Sequence, residues 1–325
     1  MENQADIVGI IAPGKGMGNF ISYLSHFRTI NKLTGKKLLI FTKQSTSAKL
    51  FLSDQNYIQN IIYMSNDKKN FSLIDKIKFF KNLINNIKKN NINKIFILHP
   101  SKKYVIASKL SGVNNIYAPG YRLQNFLIKK KNKFYKSYFD KGLDPREECD
   151  QLIKKIFSIN NLEENFIDKP YENYKKKYIS ICIATSGFEK QWGVNKYIKV
   201  IEYLSQNNHK NFCILSGKDQ GDLEDQIIAN FKTKNLNFIK TSSKKLDEIM
   251  ELLLCSYLYV GNDTGLSHLS VSLRVPSIVI YGDCPAQFYS SYIKAIVIDE
   301  KEQRSRYSIN QINFEKVKKV IDNYI

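Results

Sequence analysis

Short β-branched runs alternate with longer amphipathic stretches twice along this chain, over residues 7–159 and again from residue 178 onward. No other feature limits its fold as strongly. A strand–helix–strand series closes through right-handed crossovers that leave the strands parallel. In the first run, strands are predicted at 7–12, 37–42, 60–64, 94–99 and 115–118, and helices at 19–32, 72–89 and 145–159. The helix over 72–89 rests on Leu73, Ile77, Phe80, Leu83, Ile84 and Ile87, which share one helical face. In the second run, strands are predicted at 178–184, 211–216, 236–239, 256–260, 277–281 and 295–299. Helices are predicted there at 196–206, 223–232, 246–255, 266–273 and 313–324. Between the runs, residues 160–177 are polar, aperiodic and interrupted by Pro170, with the linker set at 166–177. The expectation is an α/β protein of two Rossmann-like doubly wound domains, 1–165 and 178–325, facing a central cleft. A length of 325 residues suits two cores of ordinary size.

Charge divides the two halves. Residues 1–165 carry 28 Lys/Arg against 12 Asp/Glu, a net +16, while residues 166–325 carry 22 against 18, a net +4. AT-rich codons raise Lys, Asn, Ile, Phe and Tyr everywhere, but they do not load one half. The N-terminal domain is therefore expected to face something anionic. The five cysteines lack metal-ligand or redox spacing, and Cys182 and Cys213 sit inside apolar strand-like runs as small buried hydrophobes. No run reaches the roughly 18–20 apolar residues of a membrane span, and residues 1–6 do not read as a secretion signal. A cytoplasmic monomer is expected.

The densest chemistry lies in Gly261-Asn262-Asp263-Thr264-Gly265, a polar turn between a strand and a helix. Thr264 and Gly265 would open that helix, so their backbone N–H groups and the helix dipole could face a diphosphate. Asp263 could accept from sugar hydroxyls or be a plain helix cap, and His268 could join the site or be a satisfied core histidine. The N-terminal turn Pro13-Gly14-Lys15-Gly16-Met17-Gly18-Asn19 fits neither dinucleotide fingerprint nor P-loop. Asn19 stands where a third glycine is needed, Thr42-Lys43 replaces the strand-two acid, and Gly16 follows Lys15.

The segment from Tyr257 to Gly282 resembles the signature of glycosyltransferase family 9, the ADP-heptose:lipopolysaccharide heptosyltransferases, which have the GT-B fold. A second similarity lies in Ala184-Thr185-Ser186-Gly187-Phe188-Glu189-Lys190-Gln191-Trp192. There the family has small hydroxyl residues followed by Lys-x-Trp, with the lysine on the donor phosphates. The resemblance implies that Thr185, Ser186 and Lys190, with Asp263, Thr264, Gly265 and His268, hold a nucleotide sugar. Asp219 or Asp222 would contact the ribose, although either could cap a helix. The likeness covers the C-terminal domain to about residue 292 and the N-terminal domain loosely. The family has a Gly-Asp pair in the first turn, its aspartate the general base, where this chain has Gly18-Asn19. An amide cannot take a proton from an acceptor hydroxyl.

The run from Phe126 to Phe139 interleaves lysines with aromatics. It reads either as a solvated face or as a grip on acceptor phosphates or an anionic membrane, with Lys129, Lys130 and Lys131 leading. Gly16 and Gly18 would border the acceptor. No recognised nucleic-acid motif accompanies the run, so nucleic acid is not the expected partner. The leading expectation is an inverting, metal-independent transferase without cofactor, peripheral on the inner membrane, moving a heptose or similar sugar from an ADP-linked donor to a glycolipid. The alternatives are a nucleotide-sugar epimerase or hydrolase on the same fold, or a sugar-nucleotide or glycan-binding protein impaired in catalysis.

Overall fold

The computed structural model describes residues 7–14, 16–64, 72–120, 123–134, 145–169, 171–185, 187, 190–282, 285–299 and 307–325. The chain divides into two compact units, Met1–Ile167 and Asp168–Ile325.

Among the described residues of the first unit the strands are β1 (Val8–Ile11), β2 (Leu38–Thr42), β3 (Ile58–Tyr63), β4 (Lys94–Ile97) and β5 (Asn115–Tyr117). The helices are α1 (Met17–Ile21), α2 (Leu24–Thr34), α3 (Ala48–Leu52), α4 (Leu73–Lys89), α5 (Lys102–Leu110), α6 (Gln124–Leu127) and α7 (Pro145–Phe157). The sheet is parallel throughout, in the order β3-β2-β1-β4-β5. Every residue of β1 and β2 is buried, as expected for central parallel strands covered by helices on both faces.

The second unit contains β6 (Tyr178–Cys182), α8 (Val194–Gln206), β7 (Asn211–Leu215), α9 (Gly221–Ala229), β8 (Asn237–Lys240) and α10 (Leu246–Leu254). It continues with β9 (Ser256–Asn262), α11 (Gly265–Ser272), β10 (Ser277–Ile280), β11 (Ile293–Ile296) and α12 (Phe314–Ile321). Its parallel sheet runs β11-β10-β9-β6-β7-β8. This is the doubly wound order, with the switch point between β6 and β9. Its core gathers Ile179, Ile181, Leu258, Val260, Ile278 and Ile280 from the strands with Trp192, Tyr197 and Val200. Cys182 and Cys213 are buried within strands, as their setting in the sequence implied.

Several elements differ from the sequence expectation, among them the short unforeseen helices α3 and α6. The helix expected over 19–32 is two helices, α1 and α2, broken at Ser22-Tyr23. In an unbroken helix the Ser22 carbonyl would accept from His26 N–H, but that amide donates to Tyr23 O. The freed carbonyl accepts from Arg146 Nε of α7 at 3.0 Å. A tertiary hydrogen bond thus replaces a rung of the helix. The unforeseen α5 buries Tyr104, Val105, Ala107 and Ser108, a contact face too small and polar to show as an apolar stripe. The last strand begins at Ile293, because Ser277 N–H donates to Tyr292 O and Tyr281 N–H to Ile296 O. Its partner β10 sets its limits. Finally, β9 extends two residues into the expected turn, to Asn262.

Among the described residues no helix is long and apolar enough to cross a membrane. The helix predicted over 72–89 forms with Ser72 as its cap, Ser72 Oγ accepting from Asp75 N–H at 3.1 Å. Only part of its apolar face is covered. Leu83 and Ile87 are buried, whereas Leu73, Ile74 and Ile77 stay exposed.

The α2–α7 contact carries a buried ionisable cluster. His26 is fully buried, with Nε2 2.7 Å from Asp150 Oδ1, and Arg146 holds the other Asp150 oxygen at 3.2 Å. Burial pulls the imidazole pKa below its ordinary 6.5, outweighing the opposing pull of Asp150 and reinforced by Arg146. The unfolded chain therefore binds this proton first as the pH falls. Stability contributed by neutral His26 is complete above about pH 6.5 and drains away below it, toward the folded pKa. The urea midpoint should fall between pH 7.5 and 5.5, and His26→Gln should flatten that part of the profile. A wild type and variant with parallel profiles would rule out the cluster as the cause.

Candidate functional site

At a switch point the crossovers after two neighbouring strands leave in opposite directions, opening a crevice at their carboxyl ends. In the second unit these are the loop after β6, residues 183–193, and the turn after β9, residues 263–264. Asn262 stitches them together. Its buried amide Oδ1 accepts from Tyr197 OH at 2.7 Å and from Trp192 N–H at 3.4 Å. Its Nδ2 lies 3.5 Å from Ile183 O and 3.4 Å from Ala184 O. Trp192, fully buried, donates Nε1–H to Ile312 O at 2.7 Å. One amide therefore fixes where the Lys190 loop leaves the sheet and where it returns.

The strands below approach unusually closely. A Cβ built on Gly261 would sit 2.5 Å from Cys182 Cβ and 2.7 Å from Cys182 O, so only glycine fits this pairing of β9 with β6.

Beyond Asn262 the turn is organised by its own side chains. Thr264 caps α11, its hydroxyl accepting from Leu266 N–H at 3.3 Å. Ser267 Oγ accepts from Thr264 N–H at 3.1 Å. The two amides expected to face a ligand therefore differ: that of Thr264 is engaged, and that of Gly265 has no acceptor among the described residues. Asp263 Oδ1 is buried and has no hydrogen-bond partner among the described residues. It lies 3.5 Å from His268 Nε2. A buried carboxylate oxygen that makes no hydrogen bond among the described residues leaves room for a ligand's hydroxyl donor. His268 is nearly buried, with Nδ1 2.5 Å from Tyr289 OH.

The opposite loop carries Lys190, partly exposed, with its amide donating to Gly187 O at 3.0 Å. The Thr185 hydroxyl is engaged locally, donating to Gly187 O at 2.7 Å and accepting from Gly187 N–H at 3.2 Å. Its geometric role is to shape the loop. Ser186 lies outside the described residues. Asp219 and Asp222 are both exposed, at the short turn Lys218–Gln220 and in the first turn of α9. The buried acid here is Glu224, which the sequence reading passed over. Its carboxylate accepts from Ser216 Oγ, Thr241 N–H, Ser242 N–H and Ser242 Oγ at 2.7–3.0 Å. Such a carboxylate pins β7 to the chain after β8. One apolar period in 223–232 hides it, and only its four partners reveal it. Asn262 had a visible signal, an amide side chain at the end of an apolar strand.

In the first unit Gly16 precedes α1 with an extended backbone, Gly18 is buried within α1, and Asn19 is exposed on it. Lys129, Lys130 and Lys131 are all exposed, and positions 135–139 of the lysine–aromatic run lie outside the described residues. Phe126 is the most exposed large apolar side chain described, at 83%. Gln124 Nε2 donates to His99 O and Ser101 O, tying α6 to the start of α5. Lys103 Nζ lies 5.0 Å over the Phe79 ring of α4. Partial burial, with Lys43 nearby, lowers the pKa of Lys103 below the ordinary lysine value.

Residues 144–317, just over half of the chain, match the profile of the family described as glycosyltransferase family 9 (heptosyltransferase). Lipooligosaccharide heptosyltransferase 2 of Campylobacter jejuni subsp. jejuni serotype O:6 is 26% identical over 183 residues, 50% of this chain and 54% of that protein. The chain thus spans about half the length of the curated relatives it matches. Among solved structures, a family 9 glycosyl transferase from Veillonella parvula superposes with a TM-score of 0.75 at 14% identity, covering 100% of this chain and 98% of that one. The E. coli heptosyltransferase WaaC with ADP-2-deoxy-2-fluoro heptose gives 0.75 at 16% identity, covering 98% and 100%. These likenesses carry the fold, the two Rossmann-like units of GT-B architecture.

The contact between Gly261 and Cys182 yields an expectation of its own. Gly261→Ala should destabilise the protein by about 1–3 kcal/mol through overpacking against backbone, read as a lowered thermal or urea midpoint. A neutral alanine would mean that β9 does not approach β6 as described.

Proposed function

This chain belongs to glycosyltransferase family 9, and we propose that it moves a heptose or similar sugar from an ADP-linked donor to an anionic, lipopolysaccharide-type glycolipid. The observation that carries the reading is the Gly265 amide, without an acceptor among the described residues, two residues after Asp263, whose buried Oδ1 makes no hydrogen bond there, across the switch point from the Lys190 loop. A nucleoside diphosphate sugar supplies what that site lacks: phosphate oxygens for the amide and the lysine, and hydroxyl donors for Asp263. The acceptor hydroxyl attacks the anomeric carbon from the face opposite the diphosphate. The new C–O bond forms as the bond to the donor phosphate oxygen breaks, inverting the centre. Lys190 and the start of α11 stabilise the charge gathering on the departing diphosphate. In this reading no metal or cofactor takes part.

The first unit supports an anionic acceptor at a membrane surface. Leu73, Ile74, Ile77 and Phe126 are exposed, and Lys76, Lys78, Lys129, Lys130 and Lys131 are exposed close to them in sequence. Exposed apolar side chains interspersed with lysines suit the boundary between headgroups and acyl chains. The proposed location is peripheral, on the cytoplasmic face of the inner membrane.

One observation favours a second reading, donor binding without turnover. Position 19, where the family resemblance expects the general base, is an exposed asparagine. If the chain is active, the proton leaves through water or a donor phosphate oxygen.

Thermal-shift titration without added metal should rank an ADP-linked sugar above UDP- and GDP-linked sugars. Lys190→Ala should then weaken its binding by about 1.5–3 kcal/mol, the range for a charge-assisted hydrogen bond. Equal shifts for all nucleotides, or a strict need for a divalent ion, would overturn the donor assignment.

Asn19→Asp introduces a carboxylate at nearly constant volume on an exposed face. With acceptor present, nucleotide release followed from pH 6 to 9 should rise by about 10² in the variant, the lower range of general-base catalysis. A vigorous wild type that loses activity on this change would place the base at another residue.

A further inference from the structure

Tyr289, in the chain between β10 and β11, has no part in the reading above, yet it grips His268, which lies against the Asp263 carboxylate of that reading. Its ring lies nearly parallel to the His268 imidazole, with centroids 5.7 Å apart and an interplanar angle of 10°, and its hydroxyl is 2.5 Å from Nδ1. The opposite nitrogen, Nε2, lies 3.5 Å from the buried, partnerless Oδ1 of Asp263. An ionised carboxylate can only accept, so a favourable approach needs the proton on Nε2. A neutral imidazole protonated at Nε2 has its lone pair at Nδ1, and that lone pair must then accept from the phenol. The other tautomer sets the Nε2 lone pair against the carboxylate. Asp263 therefore sets the proton on Nε2, and the phenol, which can donate or accept, completes that placement by donating to Nδ1.

We propose that Tyr289 is a positioning residue of the donor site. It locks His268 in the Nε2–H tautomer, which presents an N–H toward Asp263 and steadies that carboxylate to accept hydroxyls of a nucleoside diphosphate sugar. The ligand half of this statement rests on the proposed donor reading. The proton placement does not.

The chain has four histidines, so long-range proton–nitrogen NMR of the full-length protein resolves the question. Spectra at about pH 8.5 lie above the ordinary imidazole range, and His268→Gln identifies the signal. The wild type should show the Nε2–H pattern at His268. Tyr289→Phe keeps the ring and removes the hydroxyl, and should shift that signal toward a tautomer mixture while the other three stay in place and the thermal midpoint holds. The same variant should bind an ADP-linked sugar about three- to tenfold more weakly, as for one lost hydrogen bond. An Nδ1–H or mixed wild-type signal, or a His268 signal indifferent to Tyr289→Phe, overturns the lock. A shifted signal with unchanged sugar affinity overturns the positioning role. A wild type that binds no nucleotide sugar counts against the donor reading, and the ligand-free spectra still decide the lock.

Discussion

The second unit depends on how closely β9 lies against β6. At Gly261 there is no room for a side chain above Cys182, and that closeness brings the next residue, Asn262, within reach of the carbonyls where the neighbouring loop begins. A buried primary amide has two acceptor lone pairs and two donors, and this one is used on both sides. Were the strands further apart, the amide would be left unsatisfied in the core, at a penalty of about 1–3 kcal/mol, and the Lys190 loop would lose its anchor. Packing below the switch point therefore decides polar geometry above it.

Much of this architecture was legible beforehand because parallel strands buried on both faces write themselves as short, nearly continuous apolar runs. Val8–Ile11, Leu38–Thr42 and Ser277–Ile280 are short runs rich in Ile, Val and Leu, and the strands lie where they stand. What escaped was set by partners distant in sequence. The Ser22–Tyr23 break depends on Arg146, more than a hundred residues away. The limits of β11 belong to β10, and α5 packs through a short mixed face, Tyr104, Val105, Ala107 and Ser108, that carries no strong period.

The site divides in the same way. The Gly261–Gly265 turn and the Lys190 loop could be picked out as chemistry-bearing, since polar residues at strand ends have few structural reasons to be there. Their internal economy could not. That Ser267 takes the Thr264 amide, that Thr185 folds its hydroxyl into its own loop, and that Glu224 rather than Asp219 or Asp222 is the buried acid all depend on three-dimensional hydrogen-bond competition. Residue type narrows the candidates, and geometry assigns them.

The engaged Thr264 amide has a consequence for how an anion would be held. Loops that wrap a phosphate in several backbone donors carry their positive potential rigidly, within the solvent-excluded shell. Here one open amide in the first turn of α11 supplies that fixed part, and the rest of the countercharge must come from long side chains such as Lys190 at the water boundary. Over a Debye length of about 8 Å at physiological ionic strength such charges are partly screened. A diphosphate at this turn would thus be gripped by a field whose strength is set as much by the surrounding electrolyte as by the fold.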